Sequence, residues 1–182
     1  MTLNDIIYSA LRMLERGNDT QTVDKYRKVF TDYANTAISD IAERIKPTFI
    51  EEVTLDEKGR LDLSSTSRSC IRIESIKNSA GSEMAWSEIA TGIIQVTNGE
   101  GATVEMRYRY RPVRLSSTTD VPQLPAFTHD IIPYFVVACH NRDKNDTLES
   151  TYYFDMFDRE LAQIHNDHYG DSAKNKLINL GW

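Results

Sequence analysis

Apolar positions recur at helical spacing at the beginning of the chain. Thr2 and Asp5 have the spacing of a capping box ahead of an apolar stripe, which consists of Leu3, Ile6, Ile7, Ala10, Leu11 and Leu14. A second helix is predicted to begin near Thr20 or Thr22 and to end before Pro47, which cannot continue a helix. Its stripe consists of Val23, Tyr26, Phe30, Tyr33, Ala37, Ile38, Ile41 and Ile45. We expect these two helices to pair antiparallel.

From Thr48 the apolar spacing changes to that of β-strands. Residues 49–55 and 61–63 flank a turn at Asp56-Glu57-Lys58-Gly59, and this pattern predicts a β-hairpin. Further strands are predicted at Ile71–Ile76, Met84–Ile89, Ile93–Val96 and Ala102–Tyr110. A strand roughly every ten residues is typical of an antiparallel sheet or a small sandwich.

Helical spacing returns near the end of the chain. Three prolines punctuate a connection rich in Ser and Thr, namely Pro112, Pro122 and Pro125. A third helix is predicted over Thr128–Arg142, although Pro133 lies in its first turns and could shift its start or kink it. A fourth helix, predicted over Leu148–Asn166, should pack on the third.

The order of these elements predicts an α+β protein. We expect an antiparallel helical bundle of two N-terminal and two C-terminal helices, with an inserted antiparallel β-sheet or small sandwich and an extended C-terminal tail. The predicted segments are residues 1–47 (N-terminal helices), 48–112 (β-rich insertion), 113–127 (linker), 128–166 (C-terminal helices) and 167–182 (docking tail).

Charge and cysteine content indicate which binding partners and which cellular compartment to expect. The 182 residues include 27 acids and 21 bases, which gives a net charge of −6 and disfavours general adhesion to nucleic acid or to anionic membranes. No apolar run approaches the roughly 20 residues of a membrane span, and the N-terminus lacks the positive region of a secretory signal. Residence in a reducing cytoplasm is therefore expected, with Cys70 and Cys139 as buried free thiols.

The sequence carries none of the strong signatures of common enzymes. It lacks a glycine-rich phosphate loop, paired cysteine ligands, a nucleophile elbow and a His-Glu-x-x-His helix. We therefore predict a protein that is not an enzyme and binds no cofactor. A metal-dependent hydrolase using His165 and His168 is an alternative, although a solvated helix end before Tyr169-Gly170-Asp171 explains the same spacing. Asp130 is expected to cap the third helix.

A row of arginines on the last predicted strand is the first candidate binding site. Arg107, Arg109 and Arg111 alternate with aromatic residues, so the three guanidiniums lie on one strand face about 6.8 Å apart. They could bind phosphates or the carboxylates of a partner. The alternative is a solvated face on which acids of neighbouring strands neutralise the row. The interleaved tyrosines should pack into the core on the opposite face.

The apolar end of the chain is the second candidate binding site. Large apolar side chains there would lose several kcal/mol of burial in water, so they should dock on a neighbouring subunit or partner ring, or else on the same molecule. The predicted partner-binding residues of this tail are Tyr169, Leu177, Ile178, Leu180 and Trp182.

Particular stretches of the chain resemble the head-to-tail adaptor (connector, or head-completion) proteins of tailed bacteriophages. The resemblance rests on the opening helix pair that ends at Ile45-Lys46-Pro47, on the segment RYRYRPVRLSSTTDVPQLP, and on the closing helices IIPYFVVACHNRDKND and STYYFDMFDRELAQI. Together these segments extend over most of the chain.

The resemblance implies a structural subunit of the virion, assembled in the cytoplasm of the host bacterium. Such subunits form a homo-oligomeric ring, commonly of about twelve copies, between the portal ring and a tail or nozzle component. The ring extends the channel for DNA ejection, and about twelve copies would carry about seventy negative charges, so the genome would pass without sequence-specific binding. By the same resemblance, the C-terminal tail would dock on the portal or on an adjacent subunit. A nucleic-acid-binding regulator that uses the arginine row is the remaining alternative.

Overall fold

The structure, a computed structural model, describes residues 1–168 and shows a mixed α+β protein. Within this range it contains four α-helices and two small antiparallel β-sheets, which confirms the predicted α+β class. The described chain divides into two compact units. Residues 1–45 and 113–168 form unit 1, and residues 46–112 form unit 2.

Unit 1 contains all four helices. They are α1 (Leu3–Met13), α2 (Thr20–Ile45), α3 (Ile132–Asp143) and α4 (Thr147–His168), and a 3-10 helix over Ala126–Ile131 precedes α3. The predicted capping box is present at the start of α1, where the Thr2 amide donates to the Asp5 carboxylate at 2.8 Å and the Asp5 amide donates to the Thr2 hydroxyl at 3.2 Å. No helix in residues 1–168 has the length and apolar character needed to cross a membrane.

Side chains from all four helices meet in one apolar core. Helix α3 contacts α1, α2 and α4, and Phe30 of α2 and Phe157 of α4 are among the fully buried members of the core. Burial of each such large side chain contributes about 1.5–3 kcal/mol to stability. The Ser150 hydroxyl of α4 donates to the Ala138 carbonyl of α3 at 3.0 Å, which adds a buried polar link between these two helices.

The connection that precedes α3, residues 113–125, is anchored to unit 1 along its length. The buried side chain of Asn35 binds the backbone of Leu115 through two hydrogen bonds, of 2.7 and 3.0 Å. Leu115 and Leu124 both belong to the apolar core of unit 1. His129 is also buried, and its Nε2 donates to the Leu124 carbonyl at 3.0 Å. These contacts fix the connection in place, which the sequence pattern did not indicate.

The start of α3 differs from the expectation in one respect. Pro133 lies in the first turn and shifts the α-helical start to Ile132, as its position allowed. The prediction that Asp130 caps the helix is wrong, because neither the 3-10 helix nor α3 begins with a side-chain cap. The α-helix instead continues directly from the 3-10 helix, in which the His129 carbonyl accepts a hydrogen bond from the Ile132 amide. The next residue, Pro133, has no backbone amide that a cap could bind.

Unit 2 contains all six strands of the described chain. In chain order they are β1 (Thr48–Thr54), β2 (Arg60–Asp62), β3 (Ser69–Lys77), β4 (Trp86–Ala90), β5 (Ile93–Val96) and β6 (Thr103–Arg111). Sheet A has the strand order β1-β6-β3, and sheet B has the order β2-β5-β4. Both sheets contribute to one apolar core, which contains Met106 and Tyr108 from sheet A and Ile94 and Val96 from sheet B.

The predicted hairpin between β1 and β2 is wrong. The turn itself forms, because the Asp56 carboxylate accepts the amides of Lys58 and Arg60 at 2.8 and 2.7 Å. Strand β1, however, pairs along its full length with β6, and β2 pairs over three residues with β5. The turn therefore carries the chain from one sheet to the other.

Candidate partner-binding surface

Strand β6 alternates between the core of unit 2 and solvent. Val104, Met106, Tyr108 and Tyr110 point inward and are at most 3% exposed. The intervening residues, which include the three arginines, form the opposite face. This confirms the predicted alternation, including the packing of both tyrosines in the core.

The neighbouring strands add charged and apolar side chains to this outer face. From the register, Arg72 lies opposite Arg109, and Ile50 of β1 lies opposite Arg107. We define the arginine face as the outward-facing residues Ile50, Ile71, Arg72, Glu74, Lys77, Arg107, Arg109 and Arg111 of sheet A.

Two irregularities in β3 shape the arginine face. The register of β3 against β6 shifts between Cys70 and Arg72 and again between Ile73 and Ser75, so Ile71 and Glu74 are the extra residues of two β-bulges. A bulge redirects a side chain relative to strict alternation. The second bulge brings the Glu74 carboxylate to the guanidiniums of β6.

Glu74 binds two of the three predicted arginines. Its carboxylate lies 3.1 Å from Nε of Arg107 and 2.8 Å from Nε of Arg109. The side chains of Glu74 and Arg109 are 25% and 34% exposed, so water screens the pairs and each contributes at most about 1 kcal/mol. The alternative interpretation of the sequence is that acids of neighbouring strands neutralise the arginine row. Here a single carboxylate, that of Glu74, pairs with two of the three guanidiniums.

Positive charge remains in excess on the outer side of sheet A. The cations are Arg72, Lys77, Arg107, Arg109 and Arg111, and the carboxylates are Glu52, Glu74 and Glu105. Five cations against three carboxylates give a local net charge of +2 on a chain whose net charge is −6. Among residues 1–168, neither Arg72 nor Arg111 forms an ion pair. Their guanidiniums are available to an anionic partner.

Exposed apolar side chains accompany these cations. Ile50 is 51% exposed and Ile71 is 59% exposed. Arginine next to exposed apolar groups is a composition that favours protein interfaces, since charge gives orientation and apolar area gives affinity. Sequence periodicity indicated only the arginines of β6, because the contributions of β1 and β3 depend on strand pairing and on the bulges.

Contacts on the inner side of sheet A support the strands that carry the arginine face. The Arg68 guanidinium lies over the rings of Phe49 and Tyr110, at 4.0 and 4.5 Å from their centroids. The Tyr108 hydroxyl donates to the Glu51 carboxylate at 2.6 Å. Burial, together with this hydrogen bond, raises the pKa of Tyr108 to about 12, so the phenol remains a donor at physiological pH.

The two histidines proposed as metal ligands lie near the end of α4. The helix continues through His165 and His168, and the His168 ring stacks on Phe127 with centroids 4.0 Å apart. Within residues 1–168, no group of three or more His, Cys, Asp or Glu side chains is arranged to hold a metal ion. The predicted helix end at Tyr169-Gly170-Asp171 lies outside the described residues.

Both cysteines are free, as expected. Cys139 is buried and Cys70 is half-buried. Burial raises the pKa of each thiol, which disfavours the reactive thiolate.

The second predicted binding site, formed by Tyr169, Leu177, Ile178, Leu180 and Trp182, lies outside the described residues. No protein-family model and no curated protein matched this chain.

Proposed function

We propose that this protein is a structural, non-enzymatic ring subunit of the neck of a tailed bacteriophage. In this role it joins the portal ring to a tail or nozzle component and extends the DNA exit channel. It acts at the head–tail interface of the virion after assembly in the host cytoplasm.

The division of the chain into two units is the observation that carries this proposal. Helices from both ends of the chain share one core in unit 1, and the β-rich unit 2 is inserted between them. A helical bundle with a β-rich insertion is the layout that the resemblance to phage adaptors implies. The two helix pairs α1–α2 and α3–α4 would form this bundle.

The distribution of charge is consistent with a DNA channel. A net charge of −6 per copy makes a ring wall of the same sign as DNA, so the duplex is repelled rather than retained. The local excess of cations on the arginine face is then suited to protein carboxylates at a subunit or tail contact.

Removal of residues 169–182 tests the proposed portal contact. The deletion begins directly after α4 and leaves every described residue in place. We expect the full chain to co-sediment with its portal ring and the shortened chain to remain in the supernatant, because the apolar tail supplies the docking surface. Replacement of Leu177, Ile178, Leu180 and Trp182 by serine in the full chain is the matched variant.

Full portal capture by both altered chains would remove the tail from the proposal. Failure of the full chain to bind any portal or neck component would overturn the proposed function. Circular dichroism of the altered chains, compared with the full chain, checks that α1 to α4 are retained.

A nucleic-acid-binding regulator is the second candidate, and the cationic arginine face is the observation that favours it. Such a regulator should retain labelled nucleic acid at physiological salt and lose it in Arg107→Glu, because phosphate contacts supply most of this affinity. The neck subunit should retain none with either chain. Retention by the full chain and loss in the variant would support the regulator over the neck subunit.

A further inference from the structure

Helix α4 carries an exposed apolar and acidic surface. Leu148 is 81% exposed and Tyr152 is 56% exposed, and both lie on the side of α4 that points away from the buried Phe157 and Leu161. Asp155 follows on the same side, one further turn along the helix. We define the α4 stripe as the residues Leu148, Glu149, Tyr152, Asp155 and Asp158.

The charge of α4 is opposite to that of the arginine face. The helix contains five carboxylates, from Glu149, Asp155, Asp158, Glu160 and Asp167, against the single guanidinium of Arg159. Asp158 is paired with Arg44 of α2 at 2.6 Å. Asp155 is exposed and forms no ion pair within residues 1–168. It borders an open cavity of about 490 Å³, whose lining also includes Tyr152, Met156, Asp158 and Arg159.

We infer that the α4 stripe of one copy docks on the arginine face of a second copy. Each surface combines two exposed large apolar side chains with a net charge. That charge is positive on the arginine face, which includes Glu74, and negative on the α4 stripe, which borders Arg159. Ile50 and Ile71 would cover Leu148 and Tyr152, while Asp155 and Glu149 would meet Arg72 and Arg111, which form no ion pairs within the described chain. The occupant of the arginine face is therefore the chain itself.

The two surfaces also match in scale. Leu148 and Asp155 are seven residues apart, or about 10 Å along a helix. On sheet A, neighbouring strands lie about 4.8 Å apart, and residues on the same face of one strand lie about 6.8 Å apart. Apolar and cationic side chains that are one or two such steps apart are therefore separated by a distance similar to that between Leu148 and Asp155.

Such a contact would join two different surfaces, one per copy. An interface of this kind leaves the arginine face of one copy and the α4 stripe of the other unused, so further copies can add, and a ring forms where the repeated contact closes. The inference rests on the proposed function only for ring closure in the neck, since contact between two copies requires no portal.

Charge exchange across the contact provides the test. Sedimentation velocity at low ionic strength would measure association of the full chain up to about 100 µM, a concentration that populates contacts with a Kd near 10 µM. We expect Arg72→Glu alone and Asp155→Lys alone each to weaken association at least about ten-fold. An equimolar mixture of the two variants should associate more strongly than either variant alone, because each mixed pair can form an original contact or a reversed one.

Lys58→Glu is the matched control for Arg72→Glu. It makes the same change in net charge at an exposed position in the turn after β1, outside the three strands of sheet A. Association of this control should equal that of the unaltered chain. Thermal unfolding of each variant checks that a loss of association does not result from unfolding.

Any one of three sedimentation results would overturn the inference: a chain that stays monomeric throughout this range, single variants that associate like the unaltered chain, or a mixture without recovery. Loss of portal capture in Arg72→Glu with unchanged self-association would also overturn it and would assign the arginine face to the portal. If a chain that never self-associates still binds the portal, the proposed function is supported and this inference is overturned.

Discussion

Asn35 is a polar residue on the buried face of α2, where its side-chain amide forms hydrogen bonds with the backbone of a distant residue. Its side chain pairs with both backbone polar groups of Leu115, much as a neighbouring strand would. Without this partner, the amide and carbonyl of Leu115 would be buried and unsatisfied, since Leu115 itself is 4% exposed. The Asn35 side chain is thus one of the contacts that hold the returning chain on unit 1.

We predict that Asn35→Ala lowers the free energy of unfolding by about 2–4 kcal/mol, because two buried backbone groups lose their partners. Urea unfolding followed by circular dichroism measures this change. Thr36→Ala, at the next and exposed position of α2, is the control and should alter stability by less than about 0.5 kcal/mol. Equal stability of Asn35→Ala and the unaltered chain would show that the Leu115 backbone finds other partners.

At the residue scale, the sequence predicted side chains whose role follows from local periodicity. The alternation of arginine and tyrosine in β6 and the capping box at Thr2 are both local patterns, and both are present. The role of Asn35 depends on a residue 80 positions away, and that of Glu74 depends on a bulge. Periodicity within one segment contains neither piece of information.

At the element scale, the chain between β1 and β2 shows why a turn does not determine strand pairing. The turn sequence fixes the local backbone, but the partner of β1 is the strand that offers the longest matching ladder, and β6 pairs with it over seven residues. Strand β2 has only three residues. The existence and type of most elements were therefore predictable, whereas their pairing was not.

Gly59 is the position in this turn where another residue is least tolerable. Its φ is +71°, and a Cβ there would lie 2.9 Å from the backbone carbonyl oxygen of Val96. The Val96 amide also donates to the Gly59 carbonyl at 2.8 Å, so the two backbones cannot separate without loss of this hydrogen bond. The close approach connects the turn to β5.

We predict that Gly59→Ala destabilises the protein more than Gly81→Ala. Gly81 has a similar φ of +78°, but a Cβ there would meet no atom within 4 Å. Gly81→Ala should therefore cost only the backbone strain, about 1–2 kcal/mol, and Gly59→Ala should cost that plus the steric conflict. Thermal unfolding of the two variants measures the difference, and equal melting temperatures would contradict the prediction.

At the scale of the whole molecule, each unit has a core of its own. Phe30 is fully buried in the core of unit 1, while the core of unit 2 is formed by its own two sheets. The fold class could be predicted because the change from helical to strand spacing and back is visible in the sequence. The connection 113–125 contributes Leu115 and Leu124 to the core of unit 1. The sequence pattern did not predict this contribution, because the surrounding residues are largely Ser, Thr and Pro and show no apolar periodicity.

We predict that Phe30→Ala destabilises unit 1 by about 3–5 kcal/mol and leaves unit 2 largely unaffected, because the cavity lies in only one of the two cores. Hydrogen exchange measured by mass spectrometry should show faster exchange in α2 and α3 and unchanged protection in β6. Equal loss of protection in β6 would show that the two units unfold as one cooperative structure.

The assembly of unit 1 from both ends of the chain affects how the protein can emerge from a ribosome. Helices α1 and α2 are synthesised about 70 residues before Val113, where the segment that covers their apolar faces begins. At about 5–20 residues per second, they wait roughly 3–14 s for that segment. Unit 2, whose strands are contiguous in sequence, can fold during this interval. The apolar faces of nascent α1 and α2 are therefore exposed during this interval, in which a chaperone can bind them.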